Sequence, residues 1–135
     1  MQKTFPINCE WDIVNIRSEV REIAKKLGFD ELDQSRIVQS ISELARNVVQ
    51  HAEKGEITIS SVDDDGRKGL KILVQDRGPG LINLEEVARG KTGQVGETSG
   101  LQHVYMLMDE FRQIPVESGT CVEAIKWLKN KPIIS

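Results

Sequence analysis

The sequence predicts an α+β fold in two layers, a mixed or antiparallel sheet covered on one face by helices. Three observations predict it. Apolar residues recur at steps of 3 and 4 over Ile13–Leu27, Ile37–Val48 and Leu101–Met108, the period of a buried helix stripe. Short β-branched stretches alternate with polar residues at a period of two. Those strands come in neighbouring pairs around Asp-Gly and Ser-Gly turns, as hairpins do, which disfavours a wholly parallel sheet. The expected order is β-α-α-β-β-α-α-β-β.

Taken in order, Lys3–Asn8 is extended, and Pro6 confines it to a sheet edge or a strand end. Asn8–Asp12 reads as a helix start. Ile13, Ile16, Val20, Ile23, Ala24 and Leu27 carry the stripe of a first helix over Trp11–Leu27, and Gly28 stops it. Asp30 or Asp33 can cap a second helix, Asp33–Ala52, which Lys54-Gly55 ends. Glu56–Val62 is a strand, Asp63-Asp64-Asp65-Gly66 a hairpin turn, and Gly69–Asp76 the returning strand. The three turn carboxylates lack the spacing and terminal Glu of a calcium loop, so they read as a solvated turn. Leu81–Arg89 is a candidate short helix, and Gly90–Gly100 (GKTGQVGETSG) a glycine-rich loop before a helix at Leu101–Asp109. Phe111–Glu117 and Thr120–Leu128 form a second strand pair around Ser118-Gly119, followed by a polar tail that is expected to fray.

Composition bounds the function. A chain of 135 residues, 39% hydrophobic and 29% charged, fits one soluble domain over 1–135. A net charge of −3 argues against a nucleic-acid partner that needs a basic face. No apolar run approaches the ~20 residues of a membrane helix, and Met1–Ile7 has no signal-peptide core; a reducing cytoplasm is expected. Cys9 and Cys121 are too few and too far apart for a disulfide framework or a zinc site, and both are expected as small core residues. His51 and His103 stand alone and do not suggest a metal centre.

Three stretches carry candidate chemistry. In SISELARNVVQHA (Ser40–Ala52), Ile41, Leu44 and Val48 face the core, while Glu43 and Asn47 stack one helical turn apart beside them. A carboxylate above an amide can line a pocket and hold a hard cation through oxygen, although alone the pair reads first as a solvated polar edge. In Gly69–Asp76, Leu70, Ile72 and Val74 share a strand face with Asp76. A carboxylate at the end of a core-facing row needs a hydrogen-bonding partner, and Arg77-Gly78-Pro79-Gly80 behind it lets backbone approach a ligand closely. Finally, a glycine-rich run entering a helix can wrap phosphates with its N–H groups. The Gly-x-x-x-x-Gly-Lys-Ser/Thr pattern of a P-loop does not occur.

In this order, Glu43-x-x-x-Asn47, Asp76-x-Gly78-x-Gly80 and Gly90–Gly100 resemble the GHKL (Bergerat-type) ATP-binding fold of gyrase-type ATPases, histidine kinases and anti-sigma-factor kinases. SELARN at Ser42–Asn47, the D-x-G-P-G turn, LMDEF at Leu107–Phe111, AIKWL at Ala124–Leu128 and WDI at Trp11–Ile13 look like the RsbT type of switch serine kinase. That resemblance implies ATP and Mg²⁺ as cofactors. It implies a Ser or Thr of a STAS-domain stressosome protein as the phosphate acceptor, and a PP2C-type phosphatase as a downstream partner. A homodimer is left open. It also implies Asn47 as the Mg²⁺ ligand and Glu43 as the base that accepts the proton of the attacking hydroxyl. Asp76, with Gly78 and Gly80, would bind adenine, and Gly96, Thr98, Ser99, Gly100 and Leu101 would contact the nucleotide from the lid. The chain departs from the family's alternating glycine lid, because Gly96-Glu97-Thr98-Ser99-Gly100-Leu101 replaces the middle glycine with Thr98 and adds Glu97. A carboxylate there repels triphosphate by about 1 kcal/mol at ~4 Å in water. The alternative function is therefore a module that regulates STAS-domain partners by docking, with little or no ATP turnover.

Overall fold

The computed structural model describes residues 1–52, 54–77 and 99–129. Five strands form one antiparallel sheet: β1 (Gln2–Ile7), β2 (Gly55–Asp64), β3 (Arg67–Asp76), β4 (Glu110–Gln113) and β5 (Thr120–Trp127). Their spatial order is β1-β2-β3-β5-β4, so β5 inserts between β3 and β4. The described helices are α1 (Glu10–Leu27), α2 (Glu31–His51) and α3 (Ser99–Leu107). The helix expected over Leu81–Arg89 lies outside the described residues, as do Gly78, Gly80, Gly96, Thr98 and the tail. Every strand pair is antiparallel, as the hairpin signals require.

The period of two sorts β2 and β3 into a buried row and a more open row, whereas β5 is buried on both faces over Thr120–Ala124. Ile57 and Ile59 on β2, Leu70, Ile72 and Val74 on β3, and Val122 and Ala124 on β5 enter the core. They meet Ile13, Ile16, Val20 and Ala24 of α1, Ile37, Ile41, Leu44 and Val48 of α2, and Leu101, Val104 and Met108 of α3. Each fully buried Ile or Leu stabilises the fold by about 1.5–3 kcal/mol relative to exposure. α2 is packed by α1 on one side and by α3 on the other.

Local chemistry sets the element ends. The Asp30 carboxylate accepts the Asp33 N–H at 2.8 Å and caps α2, so Asp30 rather than Asp33 is the cap. α1 stops at Gly28 with φ +106°, a left-handed cap. The β2–β3 hairpin turns on Asp65 and Gly66 at φ +55° and +85°, the two positive φ values of a tight hairpin turn.

Four expectations are corrected. α2 ends at His51 with Ala52 already extended, and Gly55 belongs to β2 rather than to a helix stop. α3 begins at Ser99, so Gly100 sits in its first turn and not in the preceding loop. β4 stops at Gln113, because the ladder closes with Ile114 N–H to the Cys121 carbonyl and Pro115 has no N–H to extend it. Cys9 is exposed at the start of α1, where the Asp12 carboxylate accepts from the N–H groups of Asn8 and Cys9 and from the Cys9 thiol. Cys121 is buried, and burial pushes its thiol pKa up.

Candidate functional site

α2 supplies the ridge from which the site is built. Its inward stripe fixes the helix on the sheet, so the side chains one face over are held as well. Glu43 and Asn47, one turn apart, are both half-buried on that flank. The Glu43 carboxylate is held on two sides. Arg46 Nη1 lies 3.4 Å from Oε1. The backbone of Gly100, in the first turn of α3, lies against Oε2, since a Cβ built there would overlap that oxygen and come within 3.1 Å of Cδ.

The second half of the site is the end of β3. Asp76 closes the buried row Leu70-Ile72-Val74 and faces the same layer, paired in register with Gly55 on one side and Thr120 on the other. Two glycines crowd it. A Cβ on Gly55 would meet Val48 Cγ1 at 2.5 Å and Asp76 Cβ at 3.3 Å, so the glycine lets the turn of α2 that carries Asn47 and Val48 settle onto the sheet beside Asp76. Gly119, at φ +75°, brings the β4–β5 connector onto the Asp76 carbonyl, where any side chain would overlap it. Asp76 also lines a cavity of about 310 Å³ with Asn8, Lys54, Gly55, Glu56, Gln75 and Arg77. Arg77 N–H donates to the Lys54 carbonyl at 3.1 Å, which draws two cationic residues to this end of the sheet.

Glu43 and Gly100 thus meet where α2 packs on α3, while Asp76 lies beside Gly55 under the next turn of α2, at Val48. Leu101 is 2% exposed and anchors α3 in the core, and Ser99 opens that helix. Gly78, Gly80, Gly96 and Thr98 fall outside the described residues, as do the cationic candidates Arg89 and Lys91. Sequence reasoning missed Gly55 and Gly119 as site residues, although both are glycines beside strand ends. It also missed the cationic pair Lys54 and Arg77.

The donor set fits a magnesium ion carried largely by phosphate. Among the described residues no three His, Cys, Asp or Glu side chains gather into a metal cage, and Mg²⁺ characteristically takes one or two protein oxygens and completes its shell with phosphate and water. The Asn47 side chain, half-buried one turn from Glu43, carries an oxygen donor of that type. No helix among the described residues is long and apolar enough to cross a membrane.

Comparison with known proteins bears on this geometry. A family model described as a histidine kinase-like ATPase domain matches residues 5–126. The chain is 47% identical over 130 residues to serine/threonine-protein kinase RsbT of Bacillus subtilis, covering 95% of this chain and 98% of that protein. Among solved structures, the RsbU and RsbW domains of a Mycobacterium tuberculosis protein match with a TM-score of 0.64 at 20% identity, over 98% of this chain. The chain spans only 35% of that longer molecule. The Acinetobacter baumannii histidine kinase AdeS matches with a TM-score of 0.51 at 16% identity, over 96% of this chain and 68% of that one. These two likenesses concern the fold alone. The chain belongs to the histidine kinase-like ATPase domain family and, within it, to the RsbT type of serine/threonine-protein kinase.

Proposed function

We propose that this chain transfers the γ-phosphoryl group of ATP to a Ser or Thr hydroxyl of a STAS-domain partner, as the kinase arm of a cytoplasmic partner-switching system. After transfer it leaves that partner and binds a PP2C-type phosphatase. The observation that supports the reading is that one helix, α2, carries Glu43 against Gly100 of α3 and, at Val48, packs on Gly55 beside Asp76.

Phosphoryl transfer asks a protein chiefly for positioning and for charge stabilisation. Asp76 accepts a hydrogen bond from the adenine amino group, which gives its carboxylate a partner and fixes the base at the sheet end. Asn47 offers its amide oxygen to Mg²⁺, which when bound neutralises phosphate charge. Glu43 accepts the proton of the attacking Ser or Thr hydroxyl as that oxygen bonds to the γ-phosphorus and the bond to the ADP oxygen breaks. Arg46, paired with Glu43, orients the carboxylate toward the incoming hydroxyl.

Titration calorimetry with Mg-ATP, together with transfer to a recombinant STAS-domain protein, tests the assignment. Glu43→Ala keeps nucleotide binding and loses transfer by about 10²–10⁴-fold, the usual scale for a general base. Asn47→Ala loses the Mg²⁺-dependent part of binding, and Asp76→Asn loses binding altogether. Equal loss of binding in the Glu43 and Asn47 variants would contradict the division of roles. Glu97 and Thr98 in the lid favour the second reading, a docking module; absence of any ATP heat in the presence of the partner selects it over the kinase.

A further inference from the structure

The geometry points to Gly100 as a positioning residue for Glu43, a role distinct from wrapping phosphate. The inference rests on the proposed part of Glu43 as the base. Gly100 lies within α3, where Ala is the better helix former, and its φ is not in the left-handed region that calls for glycine. Conformational freedom therefore does not account for a glycine here. Space does. A Cβ at 100 would overlap Glu43 Oε2, stand 3.1 Å from Cδ and reach 3.4 Å from the Glu43 Cβ. The only way to admit a side chain is to swing the carboxylate away, and with it the contact between Oε1 and Arg46 at 3.4 Å.

The end of a Glu side chain moves easily, so the fold tolerates this displacement while the base does not. An error of about 1 Å in a catalytic group can cost about 10²-fold in rate. Gly100 and Arg46 together hold the carboxylate at the junction of α2 and α3, one bounding it by steric contact and the other by charge. The first turn of α3 thereby acts as a template for the base.

The test is Gly100→Ala, read three ways: nucleotide affinity by calorimetry, thermal unfolding, and phosphotransfer at saturating Mg-ATP. We expect affinity within about threefold of the parent protein, a melting temperature unchanged or raised as Ala favours the helix, and transfer slowed by about 10–100-fold. Glu43→Asp supplies the second arm, because a carboxylate one methylene shorter leaves room for the Cβ. Adding Gly100→Ala to that variant should slow transfer by less than threefold. Unchanged transfer in Gly100→Ala overturns the inference; a loss of affinity that matches the loss of transfer overturns it as well and makes Gly100 a phosphate-binding glycine. Retained transfer in Glu43→Ala would instead remove the parent reading, whatever Gly100→Ala does.

Discussion

Asp33 is the residue whose removal should reveal most about how α3 is held over α2. It is 2% exposed in the first turn of α2, the longest helix among the described residues, with Arg36 Nη1 at 2.8 Å, Lys129 Nζ at 3.7 Å and Lys126 Nζ at 3.9 Å. Lys126 is nearly as buried and donates to the Leu107 carbonyl at 2.8 Å, at the last residue of α3. One buried cluster thus ties the end of α3 to the start of α2, at the opposite end from the Gly100–Glu43 contact. Taking one partner from a buried ion pair typically costs about 3–5 kcal/mol. Here Lys126 keeps Asp109 at 3.4 Å and the Leu107 carbonyl, while Arg36 and Lys129 can turn to water. We therefore expect Asp33→Asn to cost about 2–3 kcal/mol. An unfolding entropy of about 2.1 cal/mol/K per residue gives about 0.28 kcal/mol/K for this chain, so the melting temperature should fall by about 7–11 °C. Circular dichroism melts and urea titrations would measure it. In a Lys126→Met background the same substitution should cost at least about 1 kcal/mol less, because the shared charge is already gone. A loss under about 0.5 kcal/mol, or an equal cost in both backgrounds, would refute the cluster as the tie between the two helices.

Asp30→Ala removes the carboxylate that caps α2 and should lower stability by about 1 kcal/mol in a urea titration, whereas Asp30→Ser should recover most of it. At pH 8 a thiol reagent should modify Cys9 rapidly and Cys121 only as fast as the protein opens, giving one fast equivalent; two fast equivalents would contradict the burial of Cys121. The raised Cys121 pKa also has a sign: the fold favours the neutral thiol, so this contribution is whole below the unfolded pKa and is lost as pH rises through the folded one. Cys121→Ala should accordingly flatten the alkaline side of the stability profile.

Much of the fold was legible because the signals were local. The stripe through Ile37, Ile41, Leu44 and Val48 needs only a helical period, and all four are buried as read. Asp65-Gly66 needs only the rule that a two-residue hairpin takes positive φ. What was illegible depended on distant partners. Either Asp30 or Asp33 could cap α2; Asp33 instead pairs with Arg36 at 2.8 Å and lies 3.9 Å from Lys126 and 3.7 Å from Lys129, on and just beyond β5, which only the fold brings near. Cys9 was expected in the core, yet its thiol turns to Asp12, three residues on, at the exposed start of α1. The shortness of β4 was readable, since Pro115 announces it.

The candidate site divides in the same way. The faces that Glu43, Asn47 and Asp76 occupy follow from periodicity, but the close contacts around Glu43 and Asp76 are made by glycines, and a sequence reads glycine first as flexibility. Of the three that crowd the site, only Gly119 has a positive φ. Gly55 and Gly100 are there because Val48 and the Glu43 carboxylate occupy the space a Cβ would take. Close packing, unlike loop flexibility, is specified by what lies opposite and cannot be inferred from neighbours in the chain. It follows that the contacts around Glu43 and Asp76 depend on three glycines, one of which, Gly100, ends the glycine-rich stretch. A side chain at 55, 100 or 119 would disturb Asp76 or Glu43 directly.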